Sequence, residues 1–296
     1  MNNNIKAHLA LLGANIIYGI NYSVAKDVMP DHIAPFGLVF CRAMGALILF
    51  WVVHLFNYEK VAKKDFLLLA ACGIFGVFAN QMMFLYGLDH TNPINAGIIM
   101  TSNPILVLIA SAIILKNRIT LTKVGGIALG IIGALLLLLL KKDFSFGSDT
   151  LLGDLFIFLN ALSYGIYLVI AVPLMRRYSP VTVIKWVFTF GFIFVFPLGI
   201  KEFTAIEWHA FPAKIWFEVA FVVIGTTFFA YLLNIYGLQK LNPSIVSTYI
   251  YLQPLLATIF AIWVGADTLD WIKIIAAVFI FTGVYLVSKT KKLKNQ

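Results

Sequence analysis

Charge is what this sequence has least of. Of its 296 residues only 12% are Asp, Glu, Lys or Arg, where a soluble domain carries about a quarter. Acidic residues are the scarcer kind, 13 against 22 basic ones. Asp65 and Asp154 stand at the starts of apolar runs and Asp27 at the end of one, while Glu218 lies one helical turn inside another. No run has a carboxylate at its middle, so no proton relay is visible, and Glu218 and Asp27 are left as the groups that could serve one. Cysteine occurs twice, at Cys41 and Cys72, both inside apolar runs, which argues against a disulfide framework. A Walker-type phosphate loop, a His-Glu-x-x-His pair and a Gly-x-Ser-x-Gly elbow are all missing, and the five histidines are scattered. These absences speak against direct ATP hydrolysis, a metal centre and hydrolase chemistry. The expectation is a chain with no catalytic residue, no metal and no cofactor.

What is present is apolar. Hydrophobic residues make up 61% of the chain, and the mean hydropathy is +0.93. A globular core cannot hide that much apolar surface, so lipid must solvate part of it. Apolar runs of about 20 residues, each long enough to cross a bilayer, begin near residues 7, 35, 65, 93, 120, 151, 181, 214, 243 and 268. The first ends in Lys26-Asp27 without a small-residue cleavage site, and reads as a retained helix. The net charge of +9 sits between the runs. It therefore reads as topology signals and lipid head-group contacts, with membrane lipid and not nucleic acid as the partner.

The chain repeats itself. Tyr86-Gly87-Leu88 followed by Asn92-Pro93 recurs 150 residues later as Tyr236-Gly237-Leu238 followed by Asn242-Pro243. At the same offset Pro104 meets Pro254 and Gly133 meets Gly283. Tyr18-Gly19 and Tyr164-Gly165 extend the match. The expected architecture is all-α and integral to the membrane, with ten transmembrane helices. A first five-helix repeat spans 1–140, a linker 141–150 and a second repeat 151–296. Fifteen lysines and arginines fall on the side holding both termini, six on the other, and Arg42 lies within a span. The excess of positive charge predicts both termini in the cytoplasm. Five being odd, the second repeat enters inverted, the symmetry on which two halves can rock around a central site.

Polar groups inside the spans mark where that site is expected. Pro104 and Pro254 lie about eleven residues into the fourth and ninth spans, near the bilayer centre at ~1.5 Å per residue. Each breaks its helix, and Asn103 and Gln253 stand immediately before them. Polar stripes run along other spans: Asn15, Tyr18, Tyr22 and Lys26 in the first; Asn160, Ser163, Tyr164 and Tyr167 in the sixth; Thr227, Tyr231 and Asn234 in the eighth; Ser244, Ser247 and Tyr251 in the ninth. Asn80 and Gln81 interrupt the third. One such stripe reads as bonding between helices, but several in related helices of both halves point to a shared polar cavity. Arg42 lies about seven residues into the second span. A cation at such depth faces protein or water, and Lys185 falls within two residues of the corresponding place in the second half. Both are candidates to attract a carboxylate or lock a gate, with bonds to helix carbonyls or snorkelling as the plainer readings. Gly125, Gly126, Gly130 and Gly133 in the fifth span, with Ala276, Ala277 and Gly283 in the tenth, read as packing faces that buttress the rest. Trp208, Trp216 and Trp271 fall near span ends and fit an interfacial aromatic belt.

The order of these features resembles the drug/metabolite transporter superfamily, and within it the EamA-like branch, over about residues 7 to 289. The resemblance implies a central cavity between helices 1 to 4 and 6 to 9, with helices 5 and 10 as supports. It also implies export of amino acids, related metabolites or drug-like amphiphiles. The glycine-glutamate pair common in that family after the fourth and ninth spans is replaced by Lys116-Asn117-Arg118 and Ala266-Asp267-Thr268, where Asp267 stands in for the second glutamate.

The expected function is secondary transport of a small amphiphilic metabolite across a prokaryotic cytoplasmic membrane by alternating access. The substrate would be held by Asn15, Tyr18, Arg42, Asn80, Asn103, Tyr164, Tyr167, Tyr231, Asn234, Tyr251 and Gln253, with Pro104 and Pro254 as helix breaks. A broad drug or cation exporter is the alternative of the same class, and it would call for a buried carboxylate. A membrane-embedded lipid-modifying enzyme is the alternative of another class, and it would call for a catalytic cluster at one membrane face. A scaffold without transport would leave the matched polar groups unexplained.

Overall fold

Four proline-led helix starts punctuate the chain. Pro35, Pro93, Pro180 and Pro243 each occupy the first helical turn, where a missing N–H costs nothing and the fixed φ suits the helix. Three of these starts are capped by the preceding residue. Asn92 Oδ1 accepts from Asn95 N at 2.8 Å, Asn242 Oδ1 from Ile245 N at 3.0 Å, and Ser179 Oγ from Thr182 N at 3.3 Å. The Asn-Pro pairs of the repeat are thus helix starts with a cap and a pre-set first residue.

A computed structural model of the protein describes residues 3–56, 58–139, 150–263 and 270–289. The linker expected at 141–150 lies outside them apart from Thr150, as does Asp267. The described residues are helical and contain no strand. We number the helical segments α1 (Asn3–Val28), α2 (Pro35–Leu55), α3 (Lys63–Asp89), α4 (Pro93–Ile114), α5 (Leu121–Leu139), α6 (Leu151–Met175), α7 (Pro180–Thr204), α8 (Ala213–Lys240), α9 (243–263) and α10 (Trp271–Lys289). Among the described residues seven of these, α2, α3, α4, α6, α7, α8 and α10, are long and apolar enough to cross a membrane. The apolar part of α5 is shorter, Leu121–Leu136. Large apolar side chains such as Leu67, Ile113, Phe217 and Val278 face outward. That perimeter suits hydrocarbon and not water.

The packing partners come in corresponding sets. Helix α1 lies against α8 and α9, and α6 lies against α3 and α4. Helix α7 contacts α3, and α2 contacts α8. The pairs α2–α7, α4–α9 and α5–α10 complete the bundle. Adding five to each number, with α10 followed by α1, returns the same set. The motif glycines sit where two of these pairs meet. A Cβ on Gly87 would lie 2.9 Å from Gly153 O on α6, and one on Gly237 would lie 2.5 Å from the Leu11 side chain on α1. The irregular turns correspond as well. Helix α3 widens to π-helix over Ile74–Phe78 and α8 over Phe221–Phe229. Helix α4 is interrupted by Thr101 and Ser102, whose N–H groups reach back only three residues, to Ile98 O and Ile99 O. Helix α9 tightens to a 3-10 turn over Tyr249–Tyr251. In both, the irregular turn comes shortly before the mid-helix proline, as the ring's clash with the preceding turn requires.

Polar ties close both ends of the bundle. At the end where α1 begins, Asp65 on α3 accepts from Arg177 Nη1 at 2.5 Å and from the Tyr178 hydroxyl at 2.7 Å. At the other end Lys26 on α1 donates to Leu88 O and Asp89 O at 2.9 and 2.8 Å, and Lys214 on α8 pairs with Asp27.

Helices α5 and α10 approach most closely through glycine. A Cβ on Gly283 would lie 2.5 Å from Gly126 O, and one on Gly133 would lie 2.7 Å from Ala276 O. Replacing Gly283 by leucine forces these backbones apart. Overpacking of this kind costs about 1–3 kcal/mol. The expected outcome is a lower melting temperature of the detergent-purified protein, measured by thermal unfolding of G283L beside wild type.

Candidate functional site

The π-helical turns decide which side chains look inward. A π turn takes up one residue more than an α turn, so the inward face of α8 shifts as it passes Phe221–Phe229. Thr226 then faces the centre, whereas Thr227 turns back and donates its hydroxyl to Val222 O, five residues earlier, at 2.7 Å. The same oxygen accepts from Arg42 Nε at 3.0 Å. Thr227 therefore holds the guanidinium, which is 3% exposed, by one of its edges. On α3 the π turn at Ile74–Phe78 comes immediately before Asn80 and Gln81, and both look inward.

A cavity of about 670 Å³, counting its open mouth, lies at the centre of the bundle. Of the eleven side chains expected to hold a substrate, eight line it: Asn15, Tyr18, Arg42, Asn80, Tyr164, Tyr231, Asn234 and Gln253. The other three do not. On α6, Asn160 and Tyr164 share the inward face, but Ser163 and Tyr167 are turned towards the π segment of α3. There Ser163 Oγ donates to Phe75 O at 2.8 Å, and the Tyr167 ring covers Gly76. Tyr251 is fully buried on the far side of α9, its ring against Gly130 of α5. Asn103 Nδ2 donates to Ala161 O at 2.7 Å and ties α4 to α6. Pro104 is buried, and Pro254 lines a neighbouring cavity. Lys185 is not a second cavity cation. It lies against Trp51 and Trp186 near the end of the bundle where α1 begins.

Asn21, Tyr22, Gln81, Phe84, Asn160 and Thr226 also line the cavity. Asn21 stands three residues after Tyr18 and Asn160 four before Tyr164, so the helical period already carried both. Thr226 had no such signal, because only the π turn brings it round.

The wall is organised by amide bonds whose direction can be worked out. Asn15 Nδ2 donates to Leu11 O at 2.8 Å, which leaves Asn15 Oδ1 to accept from Gln253 Nε2 at 2.9 Å. Asn160 Nδ2 donates to Asn80 O at 2.7 Å. Since a carbonyl cannot donate, the Asn160 oxygen is the atom left over. The Tyr231 hydroxyl lies 3.1 Å from both Gly76 O and Asn80 Oδ1, and accepts from Gln81 Nε2 at 3.4 Å. Asn234 Nδ2 meets the Tyr164 hydroxyl at 2.7 Å. Tyr18 stands edge-on to Tyr231 at 6.4 Å, and Tyr22 edge-on to Phe84 at 5.5 Å. These pairs supply aromatic walls.

Several buried atoms of the lining have no partner among the described residues. They are Arg42 Nη1, Asn21 Oδ1, Gln81 Oε1, Asn160 Oδ1, Asn234 Oδ1 and Thr226 Oγ. A buried polar atom left unpaired costs about 1–3 kcal/mol, more when charged. The set is one fixed cation edge, one hydroxyl and four amide oxygens. No aspartate or glutamate is among the described lining residues. Such a wall can bind a carboxylate at one point and hydrogen-bond donors at several others.

The sequence model of the EamA-like transporter family matches residues 5–139 and again residues 151–289. The chain is 24% identical to the Bacillus subtilis uncharacterized transporter YyaM, over 96% of this chain and 94% of that protein. It is 24% identical to an uncharacterized transporter of Archaeoglobus fulgidus, over 96% of this chain and 98% of that one. It is also 24% identical to the WAT1-related protein At3g18200 of Arabidopsis thaliana, over 90% and 75% of the two chains. A solved crystal structure with 18% identity superposes with a TM-score of 0.75, covering 97% of this chain and 96% of that one, and so shares its fold. With almost its whole length matched, the chain is a multi-pass membrane protein, a transporter and not an enzyme, and belongs to the EamA-like transporter family.

Proposed function

We propose that this protein is a secondary carrier that exports small amphiphilic metabolites of the amino-acid kind from the cytoplasm, and that the central cavity is its substrate site. One observation carries the reading. The only unpaired charge edge in the cavity wall, among the described residues, is Arg42 Nη1, and the same wall carries unpaired amide oxygens and no described carboxylate. A guanidinium so placed takes a carboxylate. Amide oxygens take the N–H donors of an ammonium, and the faces of Tyr18, Tyr22, Tyr231 and Phe84 take an apolar body. A drug or cation exporter would call for a carboxylate where the wall has amides.

The transport cycle we infer is alternating access by two inverted repeats, residues 1–140 and 151–296, with all ten helical segments crossing the membrane and both termini in the cytoplasm. The duplicated family match and the corresponding helix pairs support this. So do the end ties. Asp65 with Arg177 joins the start of α3 to the α6–α7 connection, and Lys214 with Asp27 joins the start of α8 to the end of α1. These are related places at opposite ends, with the charges exchanged. Rocking would open one tie while the other holds.

The test is counterflow into proteoliposomes of a panel of radiolabelled amino acids, each against excess unlabelled amino acid inside. Saturable exchange of one chemical group is expected. In R42Q it should fall at least tenfold with membrane insertion unchanged, since one charge-assisted bond is worth about 1.5–3 kcal/mol. Undiminished exchange in R42Q would remove the carboxylate site from the reading. Exchange of none of the amino acids in the panel would favour the drug or cation exporter.

A second variant separates charge from placement. T227V keeps the guanidinium but removes the oxygen that fixes its Nε edge. The expected outcome is a rise in KM of about tenfold for loss of one such bond, with maximal rate less affected. An unchanged KM would mean that Thr227 does not position Arg42.

A further inference from the structure

Lys185 is the second deeply buried cation, and the central cavity does not use it. Its side chain is 2% exposed. Its ammonium lies 4.4 Å from the Trp51 ring centroid and 4.7 Å from that of Trp186. Ring faces attract a cation, but they do not supply the lone pairs that its three N–H donors require. Among the described residues no acceptor lies within hydrogen-bond distance of Lys185 Nζ, and no carboxylate within salt-bridge distance. The one carboxylate among the described wall residues, Glu59, acts on Lys185 only at longer range, while its Oε2 accepts from Ser179 N and Ser179 Oγ, both at 2.9 Å, at the start of α7.

Lys185 borders a second cavity, of about 920 Å³ counting its open mouth, with Trp51, Trp186, His54, Tyr58, Glu59 and Lys60 among its walls. It shares no lining residue with the central one. Trp51 is pinned by its indole N–H to Thr189 Oγ1 at 3.0 Å, so the ring face beside Lys185 does not rotate away. Leu55 and Tyr58 in the same wall are exposed on the outside of the bundle. The mouth therefore opens near the end of the bundle that also carries Lys63 and Lys64, where the head groups of a bilayer would lie. We propose that this pocket binds the phosphate of an anionic phospholipid, with Lys185 as its anchor and Trp51 and Leu55 against the first part of an acyl chain. Basic pockets between helices, at the level of the head groups, are suited to that ligand. A free phosphate would gain the same contact with Lys185 but nothing from the apolar rim. The inference rests on the membrane setting alone, not on the substrate assigned to the central cavity.

Native mass spectrometry of the detergent-purified chain, titrated with phosphatidylglycerol or phosphatidylcholine, tests it. Wild type should retain phosphatidylglycerol at least tenfold more tightly than phosphatidylcholine. K185Q should lose that preference and K185R keep most of it. Phosphatidylglycerol should raise the melting temperature of wild type and K185R but not of K185Q, a readout that also shows whether each variant is folded. Should K185Q not fold, quenching of wild-type tryptophan fluorescence in vesicles decides, with brominated phosphatidylglycerol expected to quench more than its phosphatidylcholine counterpart. Equal retention by K185Q and wild type, or equal quenching by the two lipids, would overturn the proposal. Displacement of the lipid by millimolar inorganic phosphate would overturn the lipid assignment and make the ligand a soluble anion.

Discussion

Inside a bilayer an unpaired amide or charge has no water to turn to, and that rule arranges this whole chain. Polar side chains in the spans are driven towards the middle of the bundle, where they find each other. Asn15 finds Gln253, Asn160 finds the carbonyl of Asn80, and Asn234 finds Tyr164. The perimeter is left to leucine, isoleucine, valine and phenylalanine. Where the wall still holds unpaired atoms, as at Arg42, Asn21 and Asn160, the same rule turns them into an expectation of a ligand.

The helix irregularities follow from the same rule. A proline or a π turn frees a backbone group that lipid cannot satisfy, and Pro104 is accordingly buried. The irregular turns of α4 and α9 lie beside the prolines and near the cavity, and the π turns of α3 and α8 present Asn80, Gln81 and Thr226 to it. Glycine supplies the opposite service at the contacts. Gly87 and Gly237 let α3 and α8 sit directly on α6 and α1. Gly126 and Gly283 let α5 and α10 form a buttress that carries none of the cavity wall.

Much of this was readable from residue order. The apolar runs, their proline-led starts and the paired glycines all follow from local chemistry, and the helices begin close to the expected places. Most of the cavity lining was readable too, because an intramembrane polar residue has few places to go. The misplacements share one cause. Tyr167, Tyr251 and Asn103 are polar, but each turns to a neighbouring helix: the Tyr167 ring to Gly76, the Tyr251 ring to Gly130 and Asn103 Nδ2 to Ala161 O. A stripe on a helix wheel covers more than one face, and which face turns inward depends on the partner. Lys185 is the same case, since its register with Arg42 suggested a paired role that Trp51 and Trp186 override.

The sequence by itself determined that this chain lives in lipid, that its motifs recur at an offset of 150 residues, and which polar residues the membrane would force together. These are properties of composition and period, and they survive without coordinates. Only the tertiary structure decided which groups converge. A π turn shifts a helix face by a residue, a close contact between glycines sets a helix's rotation, and a threonine on one helix aims an arginine on another. Each is a contact between segments far apart in the chain, about which local sequence carries no information.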